Sequence, residues 1–236
     1  MTQPGPGLQA AAARALSWVE PGCTIGLGSG RAASAFILAL GARVSAGLDV
    51  KAVPSSAASA ALARQCGISL VELAPDVELA LTVDGADEVA ANLDLVKGRG
   101  GAQVRERILA AASRRQVILV GPEKRVARLG DTGPVPVELI PFAQSLVARR
   151  LKSLGARATL RRDAAGAPVV SENGNLTFDC DFRDRPIEDG DAARACEANL
   201  LAIAGVVDTG FFLGTAERVL VGHDDGRVEE MTRPAP

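Results

Sequence analysis

The chain has no tyrosine, one tryptophan and one histidine, and aromatic residues make up only 3% of its 236 positions. That scarcity argues against base-stacking platforms for single-stranded nucleic acid. It also leaves proton transfer to carboxylates, because His223 falls in VGHDDG, which reads as a surface turn. The net charge is −2, so there is no global basic footprint for nucleic-acid binding. No apolar run reaches the roughly 18 residues of a membrane span. The opening MTQPGPGLQA lacks the basic and apolar regions of a signal peptide. The four cysteines, Cys23, Cys66, Cys180 and Cys196, show no C-x-x-C spacing. They read as free thiols in a reducing cytoplasm rather than as zinc, redox or disulfide sites.

What is present is an ordinary globular composition, 47% apolar and 23% charged, long enough for one large domain or two small ones. Strand-like runs at 23–27, 48–53, 79–83, 93–96 and 116–120 alternate with helical runs at 8–19, 31–40, 57–65 and 102–112. Such alternation predicts an α/β fold with a largely parallel sheet flanked by helices. After Gly130 the pattern changes. Residues 133–141, with three prolines, read as a linker or an edge strand, and 142–154 as an amphipathic helix. Strands are expected at 158–162, 168–171 and 176–182, a turn at Asn173-Gly174-Asn175, and a helix at 191–203. That succession reads as a small α+β, ferredoxin-like module. Two short strands, 218–222 and 227–230, close the chain. The expected division is a Rossmann-like domain of residues 1–133 plus 208–236 and a small inserted lid domain of 134–207.

Ligands in open α/β sheets bind beyond the carboxyl ends of the strands, and four loops fall at such ends. Gly28-Ser29-Gly30-Arg31-Ala32 is either a structural turn or an anion cradle built from a helix N-terminus and a bidentate arginine. Ser55 and Ser56 either offer hydroxyls to a phosphate or cap the next helix. Asp84-Gly85-Ala86-Asp87 places two carboxylates a few small residues apart, a spacing that suits acid–base work on a shared ligand. Lys97-Gly98-Arg99-Gly100-Gly101 brings a cation and flexible N–H groups suited to a developing oxyanion. Glu106 follows in the next helix and is the best-placed candidate base.

These residues closely resemble the ribose-5-phosphate isomerase A family. DGADEV, the run from Lys97 to Glu106, PVPVELIPFA, LGARATLR, SENGN and the stretch ending in Phe211-Phe212 match it in order over almost the whole chain. The resemblance implies an aldose–ketose isomerase that interconverts D-ribose 5-phosphate and D-ribulose 5-phosphate in the non-oxidative pentose phosphate pathway. It implies no metal and no cofactor, a cytoplasmic protein, and a homodimer or homotetramer. Carried onto matching positions, Glu106 shuttles a proton between C1 and C2 through a cis-enediolate. Asp84 assists ring opening or holds a hydroxyl, Asp87 binds sugar hydroxyls, Lys97 and the glycine-loop amides hold the oxygen charge, and Lys124 serves the phosphate side. Four positions depart from the family pattern. Arg31 and Ala32 stand where hydroxyls are usual, Arg99 replaces a loop glycine, and Leu8 stands where a lysine is frequent. The exchange either compensates, since arginine grips phosphate bidentately, or re-aims the pocket.

Two alternatives stay open on sequence alone. One is isomerisation of another phosphorylated aldose. The other is a non-catalytic sugar-phosphate sensor, such as the effector domain of a repressor. Such a sensor carries a helix-turn-helix ahead of the fold, and a first strand near residue 23 leaves no room for one.

Overall fold

The computed structural model describes residues 4–184 and 186–233. They fall into two compact units, one of residues 4–86, 105–124 and 214–233 and the other of residues 87–104, 125–184 and 186–213.

The first unit is built from α1 (Pro6–Ala15), β1 (Thr24–Leu27), α2 (Gly30–Ser45), β2 (Lys51–Pro54), α3 (Ala57–Gln65), β3 (Ser69–Leu70) and β4 (Leu79–Gly85). The second contributes β5 (Glu88–Val89) and β6 (Leu95–Val96) before the greater part of α4 (Gln103–Ala112) and β7 (Gln116–Val120) return to the first. The chain then forms β8 (Val135–Leu139), α5 (Gln144–Ser153), β9 (Arg157–Leu160), β10 (Leu176–Asp181), α6 (Gly190–Leu201), β11 (Val206–Thr209) and β12 (Phe211–Phe212) in the second unit. It ends with β13 (Arg218–Gly222) and β14 (Val228–Thr232) in the first.

The first unit's seven-stranded sheet runs β14-β13-β7-β4-β1-β2-β3. All pairings are parallel except the β13–β14 hairpin. Parallel strands covered on both faces read as continuous apolar runs, and QVILV of β7 is buried at every position. From β1 the chain moves one way to β2 and β3, then returns to place β4 on β1's other side. The crevice between β1 and β4 is therefore the topological switch point, where ligands bind in such sheets. Ile25, Leu27, Phe36, Ile37, Leu40, Leu81 and Val83 belong to the core beneath it.

In the second unit, β8-α5-β9-β10-α6-β11 makes an antiparallel sheet of order β11-β8-β10-β9, the ferredoxin-like arrangement. A separate sheet joins β12, β6 and β5. This unit has its own core, with Val96, Val137, Leu139, Val147, Leu151, Phe178, Leu200 and Phe211 among its members.

The boundaries differ from the expected 134–207. Residues 87–104 and 125–133 belong to the smaller unit because β6 pairs with both β5 and β12, and Val96 and Leu129 enter its core. The ends of the expected large domain, residues 1–3 and 234–236, lie outside the described residues. Two local expectations are also corrected. β8, read as a linker or edge strand, lies inside its sheet despite Pro136. The missing N–H is tolerated because Gly210 lies opposite: a Cβ there would meet Pro136 Cδ at 2.5 Å, and the Gly210 N–H donates to the Pro136 carbonyl at 2.6 Å. Residues 168–171 form no strand. Only an isolated Arg162–Pro168 bridge is made there, and Val170 is exposed.

Cys23, Cys66, Cys180 and Cys196 form no disulfide with one another. Burial pushes the Cys180 thiol well above its ordinary range, with the Asp179 carboxylate adding to the effect. Since the thiolate is the reactive form, Cys180 is expected to stay unmodified by iodoacetamide in native protein at pH 8 and to react fully in denaturant. Peptide mass mapping reads both states. No helix among the described residues is long and apolar enough to cross a membrane.

Candidate active site

The carboxyl end of β4 carries the first functional side chain. Asp84 follows the apolar run LALTV and is fully buried, a costly position for a carboxylate without donors. Its Oδ1 accepts the Ser29 N–H at 3.0 Å and the Gly85 N–H at 2.8 Å. The Ser29 hydroxyl in turn donates to Glu106 Oε1. Glu106 is 4% exposed and lies in the first turn of α4, where the helix dipole favours a negative charge. The switch-point loop thus touches both carboxylates through one residue.

Ser29 is the N-cap of α2, yet its side chain makes no capping hydrogen bond. The hydroxyl that would satisfy a first-turn N–H is spent on Glu106 instead, so the start of α2 is left without a side-chain cap. Gly30 opens that helix with φ +76°. Arg31 follows, exposed and with no hydrogen bond or ion pair among the described residues. An uncapped helix N-terminus next to an uncommitted guanidinium is chemically suited to an anion. Ala32 packs close to Gly85.

The two serines after β2 divide their work. Ser56 caps α3, accepting the Ser59 N–H at 3.1 Å, while Ser59 Oγ donates to the Gly28 carbonyl at 2.6 Å. The capping alternative therefore describes Ser56. Ser55 is pinned through its N–H to the Leu27 carbonyl at 2.8 Å, and its buried hydroxyl meets no partner among the described residues. An unsatisfied buried hydroxyl calls for an explanation, and a polar ligand is one. Lys124 ends a short turn after β7, half-buried, its ammonium without a partner among the described residues.

In the second unit, Asp87 Oδ2 accepts the Arg99 N–H at 3.0 Å. Lys97 is 2% exposed, its N–H bonded to the Gly210 carbonyl at 2.8 Å and its ammonium 5.4 Å from the centre of the Phe212 ring. An aromatic face is a partner for a desolvated cation. The Arg99 side chain, expected on sequence to reach substrate, is anchored in its own unit. Its Nη2 donates to buried Glu88 at 2.7 Å, its Nε to the Pro134 carbonyl at 3.1 Å and its Nη1 to Thr132 Oγ1 at 3.3 Å. Three of the five guanidinium N–H donors are thus engaged within the loop's own surroundings.

Sequence reasoning assigned no role to Ser29 as a carboxylate partner, to Phe212, or to Arg161, whose Nη1 donates to the Gly98 carbonyl at 3.2 Å while the rest of the guanidinium binds Asp179. The available signals were the Phe211-Phe212 pair in a chain poor in aromatics and the arginine ending LGARATLR. His223 lies in the β13–β14 turn, as expected, its N–H bonded to the Arg227 carbonyl at 2.9 Å. Among the described residues no group of three or more His, Cys, Asp or Glu side chains is placed to hold a metal ion.

A doubly wound sheet with buried carboxylates and an uncapped helix N-terminus at its switch point is the frame of an enzyme that moves protons on a small anionic substrate. The family model for ribose 5-phosphate isomerase A (phosphoriboisomerase A) matches residues 51–226. The ribose-5-phosphate isomerase A of Roseiflexus sp. (strain RS-1) is 46% identical over 223 residues, 94% of each chain. The ribose 5-phosphate isomerase A structure from Methanocaldococcus jannaschii superposes with a TM-score of 0.87 at 36% identity, covering 95% of this chain and 98% of that one. A D-ribose-5-phosphate isomerase in complex with phospho-erythronic acid gives a TM-score of 0.89 at 34% identity over 99% of this chain and 100% of that one. The chain belongs to the ribose 5-phosphate isomerase A family.

Proposed function

We propose that this protein interconverts D-ribose 5-phosphate and D-ribulose 5-phosphate, with Glu106 as the base. The observation that carries the reading is the buried Glu106, bonded by the Ser29 hydroxyl at the uncapped start of α2. Glu106 removes the C2 proton of the open-chain aldose and returns it to C1 through a cis-enediolate. Asp84 assists ring opening or holds a sugar hydroxyl, with Gly85 and Ala86 as the bare backbone beside it. Asp87 and the Ser55 hydroxyl bind further sugar hydroxyls. The Lys97 ammonium and the N–H groups of Gly98 and Gly100 hold the charge on the enediolate oxygen. The phosphate is taken by the first-turn N–H groups from Gly30 to Ala32, the Arg31 guanidinium and Lys124. The relative bound to phospho-erythronic acid supports this reading. That ligand is a phosphorylated aldonic acid, and its planar carboxylate imitates the shape and charge of the enediolate.

The protein is further proposed to act in the cytoplasm as a homo-oligomer within the non-oxidative pentose phosphate pathway. The deciding assay offers ribose 5-phosphate to EDTA-treated protein, in parallel with arabinose 5-phosphate, allose 6-phosphate and erythrose 4-phosphate. Selective turnover of ribose 5-phosphate is expected. Turnover of another sugar alone would show that the altered loops re-aimed the pocket, and binding without turnover would make the protein a sensor.

Arg31→Ala tests the phosphate end. Loss of a charge-assisted hydrogen bond is worth about 1.5–3 kcal/mol, so KM is expected to rise about tenfold or more while kcat changes little. An unchanged KM would remove Arg31 from the site.

A further inference from the structure

We infer that Arg99 is a positioning residue: it braces the glycine loop carrying Lys97 in its working shape before substrate arrives. The loop from Lys97 to Gly101 contains three glycines, two of them, Gly98 and Gly101, at φ +93° and +89°. Such a glycine-rich run has more conformational freedom to lose than an ordinary loop of its length. If the substrate had to order it, that cost would come out of the binding free energy.

Arg99 interrupts the glycines and is fastened at both its backbone and its side chain. The N–H holds Asp87, while the guanidinium spans Glu88, Thr132 and the Pro134 carbonyl. The anchor is itself over-determined. Glu88 is fully buried and also accepts the Gly130 N–H at 2.5 Å, the Thr132 N–H at 2.9 Å and the Thr132 hydroxyl at 2.5 Å. The guanidinium lies close over Gly133, where a Cβ would meet Cζ at 3.0 Å. One residue before Arg99, Arg161 grips the Gly98 carbonyl from its ion pair with Asp179. The carboxylate end of the Arg99–Glu88 ion pair is fully buried with both oxygens hydrogen-bonded, and removing Arg99 leaves the buried charge uncompensated. The loop is therefore held on two successive residues, and the two residues most suited to sugar chemistry, Asp87 and Lys97, flank the brace.

The kinetic part of this inference rests on the isomerase reading, whereas the loop's order does not. The test compares the full-length wild-type chain with Arg99→Gly, which restores the loop glycine typical of the family, and with Glu88→Gln and Thr132→Val, which weaken the guanidinium's anchor while leaving Arg99 itself in place. Without ligand, amide hydrogen exchange across residues 97–101 is expected to accelerate about tenfold in Arg99→Gly and to rise in the anchor variants too. In the isomerase assay KM is expected to rise about tenfold with kcat within about twofold, as for a site that is ordered only part of the time. Arg99→Gly and Glu88→Gln together are expected to be no worse than the weaker single variant, because both remove the same brace. Unchanged exchange in Arg99→Gly overturns the inference. So does a KM that rises in Arg99→Gly but stays at the wild-type value in both anchor variants, since that pattern belongs to direct contact with substrate. If Glu88→Gln does not fold, Thr132→Val carries the anchor arm alone. If wild-type protein isomerises no sugar, the proposed function fails, and the exchange data still decide the brace.

Discussion

Glu106→Gln is expected to lower kcat for ribose 5-phosphate by about 10³-fold or more while leaving KM within a few-fold of wild type, in line with the loss of a positioned general base. The substitution keeps the volume and one acceptor oxygen for the Ser29 hydroxyl, so the local structure should persist. What disappears is the ability to carry a proton between two carbons. The measurement is steady-state kinetics together with washout of a C2 deuterium label, which follows proton abstraction separately from product formation. A variant retaining more than about a tenth of wild-type turnover would remove Glu106 from the role of base, since general catalysis by a carboxylate contributes far more than that. Glu106 is buried in the first turn of α4, so a modest pH-independent loss would instead point to a purely structural carboxylate.

The elements most legible in the sequence were those whose pattern is purely local. The helix at 57–65 and the strands at 116–120 and 218–222 have the observed limits, because each is an uninterrupted apolar or alanine-rich run bounded by turn residues. The DGAD and lysine–glycine loops were legible as chemistry for a different reason: acidic and basic residues interrupt apolar strands there, which folding alone does not require. β8 was obscured because Pro136 normally signals an edge, and only the long-range partner Gly210 makes an interior place possible. The unit boundary was obscured for a similar reason. β5, β6 and β12 are two residues long each, too short to carry a period, and they exist through pairing with one another.

Side-chain commitments were the least legible. Arg99 and Arg31 look equivalent in sequence, both being arginines beside glycines at the ends of strands. Glu88 distinguishes them, being fully buried and satisfied by Arg99, whereas Arg31 has no such carboxylate among the described residues. Ser29 shows the same limit in reverse. It stands at the N-cap position of α2, yet its hydroxyl serves Glu106, a carboxylate 77 residues along the chain.

Gly28→Ala is expected to abolish most activity with only a modest loss of stability, and the reason is steric. Gly28 follows β1, its N–H bonded to the Val83 carbonyl at 2.9 Å, and its backbone lies directly against Asp84. A Cβ added at Gly28 would overlap the Asp84 carboxylate and approach its Cβ at 2.5 Å. Asp84 sits at the end of a buried parallel strand and cannot retreat into the packed interior beneath it. The carboxylate must therefore swing away from the Ser29 and Gly85 N–H groups or push the loop outward. Either movement disturbs Ser29, and with it the hydroxyl that fixes Glu106. A misplacement of about 1 Å is enough to cost on the order of 10²-fold in rate, so kcat/KM should fall by at least that much. Overpacking of this kind costs about 1–3 kcal/mol in stability, so the variant should remain folded at 25 °C and the kinetics can be compared directly with a thermal melt. Near-wild-type activity in a folded Gly28→Ala protein would mean that the Asp84 carboxylate is not held where these contacts place it, and Asp84 would then lose its role beside the sugar.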